Sequence, residues 1–218
     1  MEGTARGIPY GLSRMRSTAV AVIILVRHGQ TTSNAARLLV GQSNPALTDL
    51  GERQARALRP LLGGVAEVWT SPLQRARATA AFAFPDLEAI VKESFIEVDY
   101  GSLDGQPLGV VTEQEWRAFE HDHNTAFGDG ESLASVDQRV HAELDALLAD
   151  PTSLLHDSVS HLAIVSHMSP IKSAVTWALG VSGSVAWRMN LRNASITTIA
   201  TRISTPMLVN YNVVPPLV

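Results

Sequence analysis

Two arginines and two histidines stand at or just past the ends of short apolar runs. Arg27 and His28 follow the run from Ala21 to Val26 and precede Gly29, His167 closes "HLAIVS", and Arg75 lies just beyond "VAEVWTS". If the three runs are neighbouring strands, their carboxyl ends bring all four side chains to one edge of a sheet. Open α/β sheets bind ligands at that edge, and helix N-termini there favour anions. Arginine presents a planar fork of donors that matches phosphate oxygens and keeps its charge in use. Neutral imidazole is a competent nucleophile near pH 7, so a histidine can divide one difficult displacement into two. Taken singly, each of these residues reads more simply as a satisfied structural histidine or an ion-paired arginine. The conjunction points to phosphoryl chemistry, which asks mainly for positioning and for positive charge around three equatorial oxygens. Arg27, Arg75 and a protonated His167 would supply that charge without a metal ion.

The elements that must position these groups follow from pattern. Residues 1–17 read as an irregular arm, and residues 18–218 as one domain with an insertion or lid at about 100–132. A first strand is expected over Val20 to Val26. "LTDLGERQARALRPLLGG" reads as a helix capped by Thr48 and closed by Gly63, with the chain released or kinked at Pro60, since an interior proline costs about 3 kcal/mol. "VAEVWTSP" is a second strand, and Pro72 suits the first position of the helix after it. "AIVKES" is a short third strand. The lid carries a helix around "TEQEWRAFEHDHN", and "SVDQRVHAELDALLAD" is an amphipathic helix stopped by Pro151. "HLAIVSHMSP" repeats the opening theme, with Pro170 launching "IKSAVTWALG". "ASITTIATR" and "PMLVNYNVV" close the chain as two strands. Strands alternating with helices predict a three-layer α/β/α sandwich around a mostly parallel sheet.

The chain resembles the histidine phosphatase superfamily, which includes the cofactor-dependent phosphoglycerate mutases. The likeness rests on "LVRHGQTTSN", "LTDLGERQA", "SPLQRARATA", "EVDYGSLDG", "GESL" and "IVSHMSPIK", which occur in the family's order over nearly all of residues 20–200. Arg-His-Gly alone would be weak. The resemblance implies a phosphoglycerate mutase-like fold, His28 as phosphate acceptor, and Arg27, Arg75 and His167 as phosphoryl ligands. It also implies a hydrogen bond from Asn34 and a proton-donor role for Glu97. That role calls for a carboxyl able to hold a proton near neutrality, while Asp99 and Asp104 stand nearby as alternatives. The free ring nitrogen of His28 is expected to be fixed by a carbonyl or a side chain. Gly29 is expected to spare the phosphate a Cβ. Thr31, Gly41, Met168 and Glu131 are possible substrate contacts, although Glu131 could simply cap the helix that begins nearby. Met168 and Ser169 stand where many relatives carry glycines, and Ser33 where many carry tryptophan.

The functional expectation is a metal-independent phosphomonoesterase acting on a small phosphorylated metabolite, with no cofactor. Only 70 positions separate Glu97 from His167, shorter than expected for the mutases, so mutase-type transfer is the second reading and a non-catalytic phospholigand-binding module the third. A zinc hydrolase built on His121 and His123 is disfavoured, because residues two apart on a helix do not face each other. Trp116 and Phe119 read as lid packing, and Arg188 and Arg192 as a solvated helical face.

A chain of 218 residues can bury roughly 70% of its unfolded surface in one core. The net charge of −4 argues against nucleic acid as a partner. No apolar run reaches the 18 or so residues of a membrane span. The absence of cysteine excludes disulfides and thiolate chemistry and is compatible with a cytoplasmic setting. A homodimer is compatible with the sequence, which leaves the oligomeric state open.

Overall fold

The computed structural model describes residues 21–156, 160–202 and 205–217. The expected arm at 1–17 and the expected first strand residue Val20 lie outside the described residues. Six strands form one sheet: β1 (Val22–Arg27), β2 (Val65–Thr70), β3 (Ala89–Val91), β4 (His161–Ser166), β5 (Ile196–Arg202) and β6 (Thr205–Val213). Their order is β3-β2-β4-β1-β5-β6. The first four run parallel, while β5 is antiparallel to β1 and β6 antiparallel to β5. The expected mostly parallel sheet is present, with helices on both faces: α1 (Thr32–Ala35), α2 (Asp49–Ala57), α3 (Gln74–Ala83), α4 (Glu113–His121), α5 (Leu133–Ala149) and α6 (Met168–Leu179).

Strand alternation divides the core in two. Ile23 and Leu25 of β1 join Leu162 and Ile164 of β4 in a cluster closed by Val140 and Leu144 of α5 and Ile171 and Ala174 of α6. Ile24 and Val26 join Ala163 and Val165 on the opposite face, against Leu58 and against Ala76 and Ala80 of α3. Because β1 and β4 are covered on both faces, they are apolar at nearly every position, as central parallel strands must be. No described helix is long and apolar enough to cross a membrane.

Local chemistry sets the helix ends. Thr48 caps α2 by accepting from Gly51 N–H, and the helix ends at Ala57, before a 3-10 turn over Arg59–Leu61 that takes up Pro60. Release at the proline therefore occurs earlier than closure by Gly63. Helix α3 starts at Gln74 rather than at Pro72, and the backbone N–H of its N-cap Leu73 donates to Ser71 Oγ at 3.2 Å. Helix α6 begins at Met168, two residues before Pro170, and ends at Gly180 in the left-handed region at φ 62°. A proline in the first turn is tolerated because that N–H has no intrahelical acceptor. The insertion at about 100–132 holds two 3-10 turns and α4, and it is tied to the loop after β1 where Leu39 N–H donates to Gln106 O at 2.8 Å.

Candidate active site

Parallel pairing of β1 with β4 puts Arg27 level with Ser166, so His28 and His167 emerge side by side with ring centroids 5.1 Å apart. His28 Nδ1 lies 2.7 Å from Gly29 O. A carbonyl only accepts, so Nδ1 carries the proton and Nε2 is left as the nucleophilic lone pair. Burial, then Arg75 and Arg27, hold the His28 pKa well below the usual histidine value. The ring is therefore neutral, as attack requires. Gly29 has a different reason from the one expected. A Cβ there would collide with the backbone carbonyl of Gly51, and a Cβ on Gly51 would collide with Gln30 O. The two glycines let the loop after β1 lie backbone against backbone on the first turn of α2.

Arg75 is wholly buried. Its Nη1 donates to Ser43 O at 2.7 Å, its Nη2 to Gly41 O at 2.6 Å, and its Nε to His167 Nδ1 at 3.1 Å. Burial brings its pKa down to about 10, against the pull of Glu97 and Asp104, so it stays cationic at neutral pH. One N–H on each Nη is left for a ligand. Gly41, expected as a substrate contact, spends both backbone groups on this frame: its N–H donates to Asp104 Oδ1 at 2.9 Å while its carbonyl holds Arg75.

His167 corrects the expectation of a cationic ring. Arginine Nε can only donate, so His167 Nδ1 must be an acceptor and the ring proton must sit on Nε2, which donates to Ser71 Oγ at 2.7 Å. Burial first, then Arg75 and His28, push its pKa well below the usual value. His167 thus offers one N–H as a neutral imidazole, and the positive charge rests on the arginines.

Arg27, nine-tenths buried, donates from Nη1 to Leu191 O, while its Nε has no partner. Asn34 Oδ1 accepts from Thr31 N–H at 3.1 Å and from Asn193 Nδ2 at 3.2 Å. With its oxygen committed, Asn34 has its amide N–H groups to offer a ligand. Thr31 is fully buried and accepts from Asn34 N–H on its hydroxyl, which makes it a holder of Asn34.

Three backbone N–H groups converge on the buried Glu97 carboxylate: Val98 and Ser169 on Oε1 at 2.9 and 3.1 Å, and Met168 on Oε2 at 3.1 Å. Two of these are the free donors of the first turn of α6. Met168 and Ser169 therefore serve Glu97 through their backbones, whatever their side chains. Asp104 holds the Gly41–Ser43 loop, and Asp99 caps Gly101 N–H at 2.8 Å. Glu131 forms a two-pronged pair with Arg139, Nε to Oε1 at 2.9 Å and Nη2 to Oε2 at 3.1 Å. Its carboxylate is spent there, and Ser132 rather than Glu131 caps α5.

A cavity of about 390 Å³ opens onto this edge, with Arg27, Asn34, Glu97 and Met168 in its wall. His28, Arg75 and His167 are not part of that lining and lie buried beneath it. The cavity also takes in Lys172, Asn193 and Asp137, which sequence reasoning passed over. Lys172 follows Met168 by four residues on α6, a helical spacing that was there to be read. Burial lowers the pKa of its ammonium, against the pull of Glu97. Asn193 carried no signal, because it precedes a strand instead of following one. His121 is exposed, whereas His123 pairs with Asp137 at 2.8 Å, so the two do not converge. Trp116 packs edge-on against Phe119, as expected of lid packing. Arg188 ends a 3-10 turn and Arg192 lies beyond it; both are exposed and outside the cavity.

Known proteins resemble this chain in sequence and in fold. A bifunctional protein of Mycobacterium tuberculosis is 32% identical over 183 residues, 80% of this chain and 49% of its own length. The chain thus spans about half the length of that relative. A probable phosphoglycerate mutase of Yersinia enterocolitica is 32% identical over 186 residues, 81% of this chain and 83% of its own. Among solved structures, a phosphoserine phosphatase of Entamoeba histolytica bound to phosphoserine superposes with a TM-score of 0.78 at 25% identity, covering 88% of this chain and 96% of that one. Residues 23–214 match the family model described as histidine phosphatase superfamily (branch 1). The chain belongs to the histidine phosphatase superfamily.

Proposed function

We propose that the protein hydrolyses phosphoric monoesters of small metabolites through a phosphohistidine on His28, without a metal ion. The observation that carries this reading is the free Nε2 of a neutral His28, set beside two buried arginines at the sheet edge onto which a cavity holding Glu97 in its wall opens. In the first step Nε2 attacks phosphorus, the bond to the ester oxygen breaks, and Glu97 hands that oxygen a proton. Arg27, Arg75, the amide of Asn34 and the Nε2–H of His167 hold the three equatorial oxygens. That N–H would exchange Ser71 for a phosphoryl oxygen. In the second step Glu97 takes a proton from water as the water attacks phosphorus, and the P–N bond breaks to return His28 and release phosphate.

Mutase-type transfer is the second reading, favoured by the likeness to the probable phosphoglycerate mutase of Yersinia enterocolitica. Hydrolysis is preferred because the segment between Glu97 and His167 is short, and the likeness to the Entamoeba phosphoserine phosphatase supports it. The test is a rapid quench with radiolabelled phosphomonoester. It should trap an acid-labile, base-stable phosphoenzyme that His28→Ala lacks, and turnover should persist in chelator. With 3-phosphoglycerate and catalytic bisphosphoglycerate, phosphate release should exceed isomer formation; the reverse ratio would establish the mutase reading. No adduct and no turnover on a broad phosphomonoester panel would leave a phospholigand-binding module.

A further inference from the structure

The phosphate chemistry uses only part of the cavity. Another part of its wall is formed by Trp116, Phe127 and Trp187 together with His123, Asp137 and Ser173. His123 Nε2 and Asp137 Oδ2 are 2.8 Å apart and mostly buried. With Nε2 committed to Asp137, Nδ1 is the ring nitrogen left over, and that atom is buried with no partner. Ser173 is 3% exposed, and its Oγ is likewise buried and unpartnered. So is the indole N–H of Trp187. Native proteins leave few such groups unpaired, and these three, beside the Arg27 Nε of the same cavity, need an explanation. The pair is also set deliberately against the backbone, since a Cβ on Gly183 would collide with both Asp137 Oδ2 and His123 Nε2.

We propose that this part of the cavity is a recognition subsite for a polyhydroxylated ring, a sugar or cyclitol, carried on the leaving group of the phosphomonoester. Building on the hydrolytic reading above, it assigns the leaving-group class. A ring nitrogen, an indole donor and a hydroxyl that can either donate or accept, beside a carboxylate, match the mixed donor and acceptor character of ring hydroxyls. The aromatic neighbours supply the apolar surface that the C–H faces of such a ring require. A planar heteroaromatic base is a poorer fit. Trp116 meets Trp187 at 75° and Phe127 meets Trp187 at 50°, so these neighbouring rings make no parallel slot for a flat group.

The test compares hexose 6-phosphate, inositol monophosphate, adenosine 5′-monophosphate and phenyl phosphate by kcat/KM on the wild type and on Ser173→Ala, Asp137→Ala and Gly183→Ala. In the wild type a hexose or inositol phosphate should be the best of the four. Ser173→Ala removes a hydroxyl that bonds nothing in the protein, so its melting temperature should not fall, yet it should lose about tenfold on the hydroxylated ring. Asp137→Ala and Gly183→Ala should lose more, and all three should act on phenyl phosphate within about twofold of wild type. Parallel losses on both substrate types, or a preference for the nucleotide, would overturn the subsite. If no ester is hydrolysed, the hydrolytic reading fails separately, and the subsite is decided by calorimetry with hexose 6-phosphate. Weaker binding to Ser173→Ala than to wild type supports it, and equal binding refutes it.

Discussion

Arg75 Nε donates to His167 Nδ1 at 3.1 Å, and this one bond decides which nitrogen of the second histidine carries a proton. The same guanidinium holds the carbonyls of Gly41 and Ser43, so it orders a loop and a ring together. A lysine ammonium cannot reproduce that planar three-way fit. Arg75→Lys is expected to lower kcat/KM on phenyl phosphate by about 10²–10³, measured alongside circular dichroism to show an intact fold. A loss below tenfold would mean the fork is not needed.

Glu97 can be tested through the leaving group. An alkyl phosphate expels a basic alkoxide that needs a proton, whereas p-nitrophenolate leaves without one. Glu97→Gln should therefore cost about 10²–10⁴ in kcat on an alkyl phosphate and much less on p-nitrophenyl phosphate. Equal losses on the two would remove Glu97 from proton transfer and leave it as a support for α6.

The buried histidines predict a specific acid sensitivity. His28 and His167 are held neutral with pKa values well below those of the unfolded chain. As pH falls through about 6.5, the unfolded state takes up two protons that the folded state refuses. Stability present above that pH is therefore lost below it, by up to about 2.7 kcal/mol per pH unit for two groups. Urea unfolding at pH 7, 6 and 5 should show the slope, and His28→Asn should roughly halve its histidine-dependent part. A flat profile between pH 6.5 and 5 would contradict the neutral pair.

Gly29 and Gly51 should be intolerant of any side chain. A Cβ on either meets backbone rather than a movable side chain. Gly29→Ala is expected to cost about 1–3 kcal/mol, read from the urea midpoint at unchanged m-value. If its stability matches wild type, the loop after β1 has room to move, and the tight seat described for His28 does not exist.

The strand cores and the histidines at their ends could be read in the sequence because Ile23 to Val26 and Leu162 to Val165 are apolar on both faces, which only central strands need. Helix starts were less legible. The actual first turn of α6 lies two residues ahead of the reading that Pro170 suggested, and those residues carry the N–H groups that Glu97 uses. Backbone donors leave no residue-type signature. The neutral state of His167 was hidden for a related reason: it depends on Arg75, 92 positions away, and on the burial of both. Asp137 and Trp187 sit on elements whose helical or turn patterns say only that they are amphipathic, and only packing brings them into one cavity wall.

The reversed direction of β5 sets an order of assembly. Because β5 runs against β1, the residues ahead of it, Leu191 and Asn193, arrive at the same edge as Arg27 and Asn34 and bond to them there. As the chain leaves the ribosome, β1 precedes both of its neighbours: β4 follows about 140 residues later and β5 later still. Until β5 forms, the central strand lacks one of its two neighbours, and Arg27 and Asn34 lack the Leu191 carbonyl and the Asn193 amide that β5 brings to this edge. A chain that stops short of residue 191 is therefore expected to lack the carbonyl and the amide that hold Arg27 and Asn34 at this edge, whatever helices it has already formed.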